Sequence, residues 1–470
     1  MNKEKHMWTI SIIAQYDKSV NSEYEELEYS ILKQEYCKHL AFIIFKYDQE
    51  TEEAFVRIRQ KNLFGYQFFK TIKLGKVDIY SKKNNSLIKF FQEYVSSKKN
   101  AETKTINKKM LITWGHGAGI GFFYKEFEKA FNTIFQMDGV DTTAKRKVLN
   151  FTKKLQIYKA HLSLSDSKID FDKLIDHYSE ILGVTLDKQE WVKKIKKIIK
   201  VINAKELNDI IKEGLDKVDV LLTMNCYMQM FETCLPLQET VGLVISPQTT
   251  ITFWGYNYFQ LFKIIIESPK CTDKIISKNI TSFYSSKYFD KELEPINGLN
   301  DVSISCIDLK RFNCVLENFE DIATYINSNL ETEFETSIGT YQLKHYVELA
   351  RRKCFSEYSA IIDFRHFLNQ LSIYLYDDKN EFSKLINKHN EVRNEVLLST
   401  YQPGRLHEPD FGTTYLSSIG PQFASIFFPY ENYEELQFFN ENFRYNEIMG
   451  STSWASLLEK LNPTVKDYVK

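Results

Sequence analysis

The chain has 470 residues, 43% hydrophobic and 14% aromatic, with 61 basic against 62 acidic side chains. This is enough apolar material for one extended core or two, and a formal net charge of −1 gives no global attraction to nucleic acid or to an anionic membrane. No run of about 18 apolar residues is present, so a membrane-spanning helix is not expected.

In chain order, strands and helices alternate. Met7 to Ala14 has the apolar character of a strand, and Ser22 to Glu35 has helical periodicity. Leu40-Ala41-Phe42-Ile43-Ile44-Phe45 reads as a second buried strand, and Ala54 to Arg59 alternates as a hairpin or edge partner. Ser86 to Ser97 predicts a helix, followed by a third parallel strand, Met110-Leu111-Ile112-Thr113-Trp114. Tyr124 to Asn203 is long, lysine-rich and amphipathic, as in Trp191-Val192-Lys193-Lys194-Ile195-Lys196-Lys197-Ile198. It reads as a solvated helical insertion, or more sharply as a lid or processing element. Its acidic neighbours Asp187, Glu190, Glu206 and Asp209, with few aromatic residues between, argue against a nucleic-acid surface. Ala204 to Gly214 predicts a helix, Val218 to Met224 a fourth strand and Gly242 to Ile245 a fifth. Beyond about Lys263, Ile307 to Asn329 and Tyr341 to Tyr376 read as helices, and Phe423 to Phe428 as a strand. The pattern predicts an α/β fold: a mostly parallel sheet flanked by helices, with a helical insertion at 124–203 and an α-rich C-terminal region. The expected division is a core over 1–262 and a C-terminal region over 263–470 packed on it. Few prolines and glycines are available for linkers.

Two strand ends carry chemistry. His116 follows the Met110–Trp114 run and opens the glycine-rich turn His116-Gly117-Ala118-Gly119, while Cys226 follows Val218–Met224. Parallel strands place functional groups at their carboxyl ends, so a histidine and a cysteine distant in sequence can meet there. A thiol nucleophile needs an imidazole to manage its proton and backbone N–H groups to hold an oxyanion. Cys234, in the helix expected next, reads as packing. The seven cysteines are irregularly spaced and suggest neither a disulfide framework nor a zinc site.

The surrounding segments resemble the clostripain family of caspase-fold cysteine peptidases. Trp8-Thr9-Ile10 resembles the start of its first strand, and Asn84 to Phe91 followed by Met110 to Gly119 is similar to its helix and "LILWDHGGG" turn. Thr223-Met224-Asn225-Cys226-Tyr227-Met228 with Phe231-Glu232 is similar to its "FDACLM…IE" segment, and Val244 to Gln248 with Trp254-Gly255-Tyr256 to "VGSEE…GWPY". Ile362 to Leu368 resembles a late "DLYDF" helix, and Ser425 to Pro429 with Trp454 the C-terminal "SIYFP…W" pattern.

The resemblance implies a caspase-like fold and a cysteine endopeptidase acting on a protein or peptide substrate. It implies Cys226 as nucleophile, His116 as the proton-handling partner, and the N–H groups of Gly117 and Cys226 as the oxyanion site. Where the family carries an aspartate that holds a basic P1 side chain, this chain has Met224, and Leu243 to Tyr258 contains no acidic residue. A buried cation without a counter-charge is costly, so the expected pocket is neutral. Met224, Ser246, Trp254 and Tyr256 shape it, with Ser246 through Gln248 pairing the substrate backbone. Asn225 replaces the family's alanine and is expected to be tolerated. No cofactor, metal, nucleic-acid or membrane partner is expected, and a monomer is favoured. The N-terminus Met1-Asn2-Lys3-Glu4-Lys5-His6 lacks the apolar core of a signal peptide, so a cytoplasmic location is expected, unlike that of many relatives. By analogy alone, such an enzyme suits the activation of a dedicated partner such as a bacterial defence effector. The competing readings are a catalytically degenerate scaffold and a transpeptidase or ligase sharing the same nucleophile chemistry.

Overall fold

The structure is a computed structural model. It describes residues 5–16, 21–37, 40–81, 85–96, 105–115, 117–118, 121–123, 139–161, 170–198, 200–248, 256–268, 270, 275–276, 279, 304–336, 339–354, 361–375, 381–401, 424–428 and 452–461. Its strands in chain order are β1 (Lys5–Tyr16), β2 (Leu40–Asp48), β3 (Glu53–Lys61), β4 (Gln67–Lys76), β5 (Thr105–Trp114), β6 (Gly117–Ala118), β7 (Gly121–Phe122) and β8 (Ile202–Asn203). They continue with β9 (Val218–Met224), β10 (Val241–Pro247), β11 (Ile304–Asp308), β12 (Glu333–Thr336), β13 (Gly339–Gln342), β14 (Ile361–Asp363), β15 (Leu397–Tyr401) and β16 (Ser425–Phe427). The chain divides into two compact units: Met1–Gly117, Ala204–Asn313 and Arg393–Phe423 in the first, and Ala118–Asn203, Cys314–Val392 and Ala424–Lys470 in the second.

The first unit is built on a nine-stranded sheet of order β15-β11-β10-β9-β5-β1-β2-β3-β4. Its centre is parallel: β2, β1, β5, β9 and β10 pair side by side in one direction. These strands are the continuous apolar runs of the sequence, as a parallel sheet covered on both faces requires. Residues 8 to 14 of β1 and the whole of β10 are buried. Burying each such Ile, Val or Leu side chain contributes about 1.5–3 kcal/mol. Helices Asn21–Leu32, Ala204–Leu215 and Tyr258–Glu267 belong to the same unit, each burying one side: Tyr24, Leu27 and Ile31 in the first, and Leu207, Ile210 and Ile211 in the second.

Outside the parallel centre, the sheet is antiparallel at both margins. β3 pairs β2 and β4 pairs β3, while β11 pairs β10 and β15 pairs β11. The alternation at Ala54–Arg59 is thus a hairpin arm, and its partner β4 forms the exposed edge. Residues 304–308, whose end falls in the stretch read from sequence as a helix from Ile307, instead form β11; the helix runs from Asn313 to Asn329. The expected helix over Ser86–Ser97 is α-helical only from Ser86 to Phe90, and a π-helical turn follows over Phe91–Val95. That turn keeps Phe90 and Phe91 both buried, and Phe91 packs where a Cβ on Gly214 would lie only 2.7 Å from its own Cβ.

The second unit contains the insertion helices Thr142–His161, Phe171–Leu182 and Lys188–Ile198, and β7 paired antiparallel with β8. Its later part holds helices Asn313–Asn329, Leu343–Arg352, Phe364–Tyr374 and Ser453–Leu461, the β12–β13 hairpin, and β14 paired antiparallel with β16. β14 and β13 therefore interrupt the stretch from Tyr341 to Tyr376 that reads as helical in sequence. Phe319, Phe364, Phe367, Phe428 and Trp454 share one aromatic core there. Among the described residues, no helix is long and apolar enough to cross a membrane.

Candidate active site

β5 and β9 lie side by side in the parallel centre, and their last register pair is Trp114 with Met224. His116 and Cys226 each follow two residues beyond that pair. His116 lies outside the described residues, so what the structure defines is the frame that leads into it. Gly115 sits at φ +147°, and a Cβ there would meet Gln15 Cβ at 2.8 Å and Gln15 O at 3.2 Å. The end of β5 therefore approaches the end of β1 as closely as a residue without a side chain allows.

Cys226 is half-buried and packed against the sheet core. Tyr227, directly after it, adopts a left-handed backbone at φ +59°, a conformation that costs a non-glycine residue of order 1–3 kcal/mol and clusters at functional sites. This turn breaks β9 abruptly and leads the chain to the helix Phe231–Leu237.

Asn225, between strand and thiol, is fully buried. Its Oδ1 accepts from Thr113 Oγ1 at 2.6 Å and its Nδ2 donates to the Gly115 carbonyl at 3.1 Å. One amide thus ties the last turn of β9 to two positions at the end of β5. Leaving either group of β5 without its buried partner would cost about 1–3 kcal/mol. From the other side, Tyr256 Oη donates to the Thr223 carbonyl at 3.3 Å.

Of the residues expected to line the pocket, Met224, Ser246, Gln248 and Tyr256 are buried. Met224 belongs to the core cluster with Trp114 and Tyr256, against which Cys226 also packs. Ser246 is fully buried and donates to Gln229 Oε1. The Ser246 and Pro247 backbone pairs with Ser305 and Ile304 of β11, and the Gln229 N–H donates to the Pro247 carbonyl at 2.9 Å. Ser246 and its neighbours are therefore engaged within the protein. Gln248 is 3% exposed. Trp254 lies outside the described residues, as do Gly119 and all of 124–138. Gly117 begins β6, three residues past the end of β5 in sequence.

Cys234 is fully buried, and burial pushes its thiol far above the ordinary range, with Glu232 adding to the effect. It is a core thiol, as its sequence position suggested. No role for Asn225, Gly115 or Gln229 follows from the sequence alone. Gly115 carried a readable signal, a glycine directly before the histidine. The cross-strand bonds of Asn225 and Gln229 depend on register, which a single sequence does not display.

A packed parallel centre, with β9 leading into the half-buried Cys226 and a left-handed turn directly after it, is an α/β frame that sets a cysteine at a strand end. The profile of the clostripain family matches residues 196–461. The chain belongs to the clostripain family, and it is a cysteine peptidase. The matched range contains Cys226 and begins after His116. A comparison with curated proteins finds no match. Among solved structures, the chain is similar to a secreted C11 cysteine protease from Bacteroides thetaiotaomicron in complex with an irreversible peptide inhibitor, at 14% identity and TM-score 0.52, covering 96% of this chain and 99% of that one. It is also similar to an inactive zymogen C11 protease from Parabacteroides distasonis, at 11% identity and TM-score 0.50, covering all of both chains. At these identities the likeness concerns the fold, and it agrees with the α/β architecture expected from the sequence.

Proposed function

We propose that the chain cleaves protein substrates through a dyad of Cys226 and His116, with a neutral residue preferred at P1. The observation that carries this reading is the register of β5 and β9. Trp114 faces Met224, and the histidine and the cysteine follow at equal distance in sequence from that pair. A thiolate at Cys226 attacks the scissile carbonyl, forming a carbon–sulfur bond, and the carbonyl oxygen takes up negative charge. The N–H groups of Gly117 and Cys226 stabilise that charge. His116 takes the thiol proton and delivers it to the departing amine, and water then releases the acid from the thioester.

The apolar wall beside Cys226 supports the neutral P1. Met224 packs with Trp114 and Tyr256, and a lysine or arginine head entering such a wall would give up hydration without an ion-pair partner. The stretch 124–203 serves as a structural helical insertion, with a lid or processing element as the sharper alternative. A cytoplasmic, reducing location and a dedicated protein partner complete the proposal.

The test is proteomic profiling of cleavage by purified protein. Cys226→Ala and His116→Ala are each expected to abolish cleavage, and the double variant to be no worse than either single one, because the two act as a unit. Cleavage by Cys226→Ala at a rate comparable to wild type would refute the nucleophile. Partition of the acyl-enzyme to an added amine in preference to water would favour the transpeptidase reading.

A further inference from the structure

Asn225 stands where the family pattern carries alanine, and the structure gives it a place in the site. Its side chain is fully buried and holds two groups of the neighbouring strand, the Thr113 hydroxyl at 2.6 Å and the Gly115 carbonyl at 3.1 Å. The Gly115 carbonyl precedes the peptide N–H of His116, and the Asn225 carbonyl precedes that of Cys226. We infer that Asn225 is a positioning residue for the proposed dyad, an amide clamp that fixes the separation of the two strand ends from which His116 and Cys226 emerge. This inference rests on the dyad reading of the same site.

The chemistry is specific to an amide. Oδ1 must face the hydroxyl and Nδ2 must face the carbonyl, because the reverse orientation would set two oxygens against each other. An aspartate of the same shape would place a carboxylate oxygen against the Gly115 carbonyl, so it should be the more damaging replacement. Alanine would release the two strand ends without opposing them. Gly115 has no side chain with which to anchor itself, and its far side is set by Gln15. Asn225 is therefore the side-chain bond that holds the Gly115 carbonyl toward β9. The clamp acts through geometry, since a neutral amide carries no charge.

The experiment compares Asn225→Ala, Asn225→Asp, Thr113→Val and Thr113→Ser in the full chain, with Cys226→Ala and His116→Ala as controls. The substrates are fluorogenic peptides with leucine or arginine at P1. Active sites are counted by labelling with a peptidyl acyloxymethyl ketone, so rates refer to competent thiols and not to total protein. A misplacement of about 1 Å at a reacting centre can cost on the order of a hundredfold in rate. Asn225→Asp is expected to lower kcat about a hundredfold and Asn225→Ala or Thr113→Val about tenfold, with KM within about twofold. Thr113→Ser keeps the hydroxyl and is expected to stay near wild type. The acidic limb of the kcat/KM profile should move to higher pH in the damaged variants, because a separated imidazole assists the thiol less. A kcat per labelled site within twofold of wild type in Asn225→Asp and Thr113→Val, with an unmoved pH profile, would overturn the inference, even if both variants melt earlier. If Asn225→Asp does not fold, the Thr113 pair decides by the same criterion. Activity surviving in Cys226→Ala would instead bring down the dyad reading itself, which separates the two failures.

Discussion

Gly115→Ala combines a strained backbone with a close clash. The new methyl group would lie 2.8 Å from Gln15 Cβ and 3.2 Å from its carbonyl oxygen, and the backbone would keep a φ of +147°. The obstructing atoms are the root of a side chain and the backbone of β1, so a rotamer change of Gln15 does not clear the space. Gln15 is also held, through its Nε2, by Tyr80 Oη at 3.1 Å. The strained φ costs about 1–3 kcal/mol and the overpacking about 1–3 kcal/mol, about 2–6 kcal/mol together. Gly75→Ala is the internal control: its φ is +79° but nothing lies within 4 Å of the added methyl group, so it bears the conformational cost without the clash. Urea unfolding followed by fluorescence and by circular dichroism should put Gly115→Ala below Gly75→Ala in midpoint. Activity per labelled Cys226 should fall in Gly115→Ala alone, since Gly75 lies at the end of β4, on the edge of the sheet. Equal midpoints for the two variants, with undiminished activity in Gly115→Ala, would refute the argument that β5 and β1 are in obligatory close approach.

Met224→Asp should shift P1 preference toward arginine and lysine by about tenfold or more, about 1.4 kcal/mol, at some cost in stability because Met224 is buried in the core; wild-type preference for basic P1 by the same factor would show that a carboxylate from elsewhere serves the pocket. His366 is 1% exposed, and its burial lowers its pKa against the opposing pull of Asp363. The unfolded chain therefore binds more protons than the folded one below about pH 6.5, so this histidine's contribution to stability is complete above that pH and is lost as pH falls through it. His366→Gln should flatten the acid-side fall in the unfolding midpoint between pH 7.5 and 5, and an unchanged slope would show that other groups set it.

The parallel centre was legible because its strands are continuous apolar runs, and the packed sheet makes that pattern obligatory: β1, β2, β5, β9 and β10 all follow it. The margins were less so. β11, Ile304-Ser305-Cys306-Ile307-Asp308, is five residues long and runs straight into the turn Leu309–Arg311 and the helix from Asn313, so its end merges with helical periodicity. β4 carries Lys70, Lys73 and Lys76 on an edge, a composition that resists edge-to-edge pairing but dilutes the alternation that announces a strand. The cysteine was recognisable from its strand and its motif. Asn225 was read as a tolerated departure, since nothing in the order of residues says that position 225 lies across from Thr113 and Gly115. That fact belongs to register, and it emerges only when β5 and β9 are paired.

The strand order gives the site a further physical rationale. The chain passes from β1 to β2 on one side, then returns to lay β5 on the other side of β1, with β9 beyond it. In open α/β sheets, such a reversal leaves a crevice at the carboxyl ends of the strands, where ligands bind. Here the strand ends next to that reversal are tied laterally by side chains that do no chemistry. Gln15 of β1 sets the limit for Gly115, Asn225 joins β9 to β5, and Tyr256 supports β9 through the Thr223 carbonyl. Met224, Trp114 and Ile245 belong to the apolar core against which Cys226 packs. A thiol held in this way gains its orientation from the sheet itself, with the left-handed turn at Tyr227 ending the strand directly beyond it. Precision at the reacting atom therefore depends on uncharged residues one or two positions away from it, and changes at those positions should register in kcat before they register in substrate affinity.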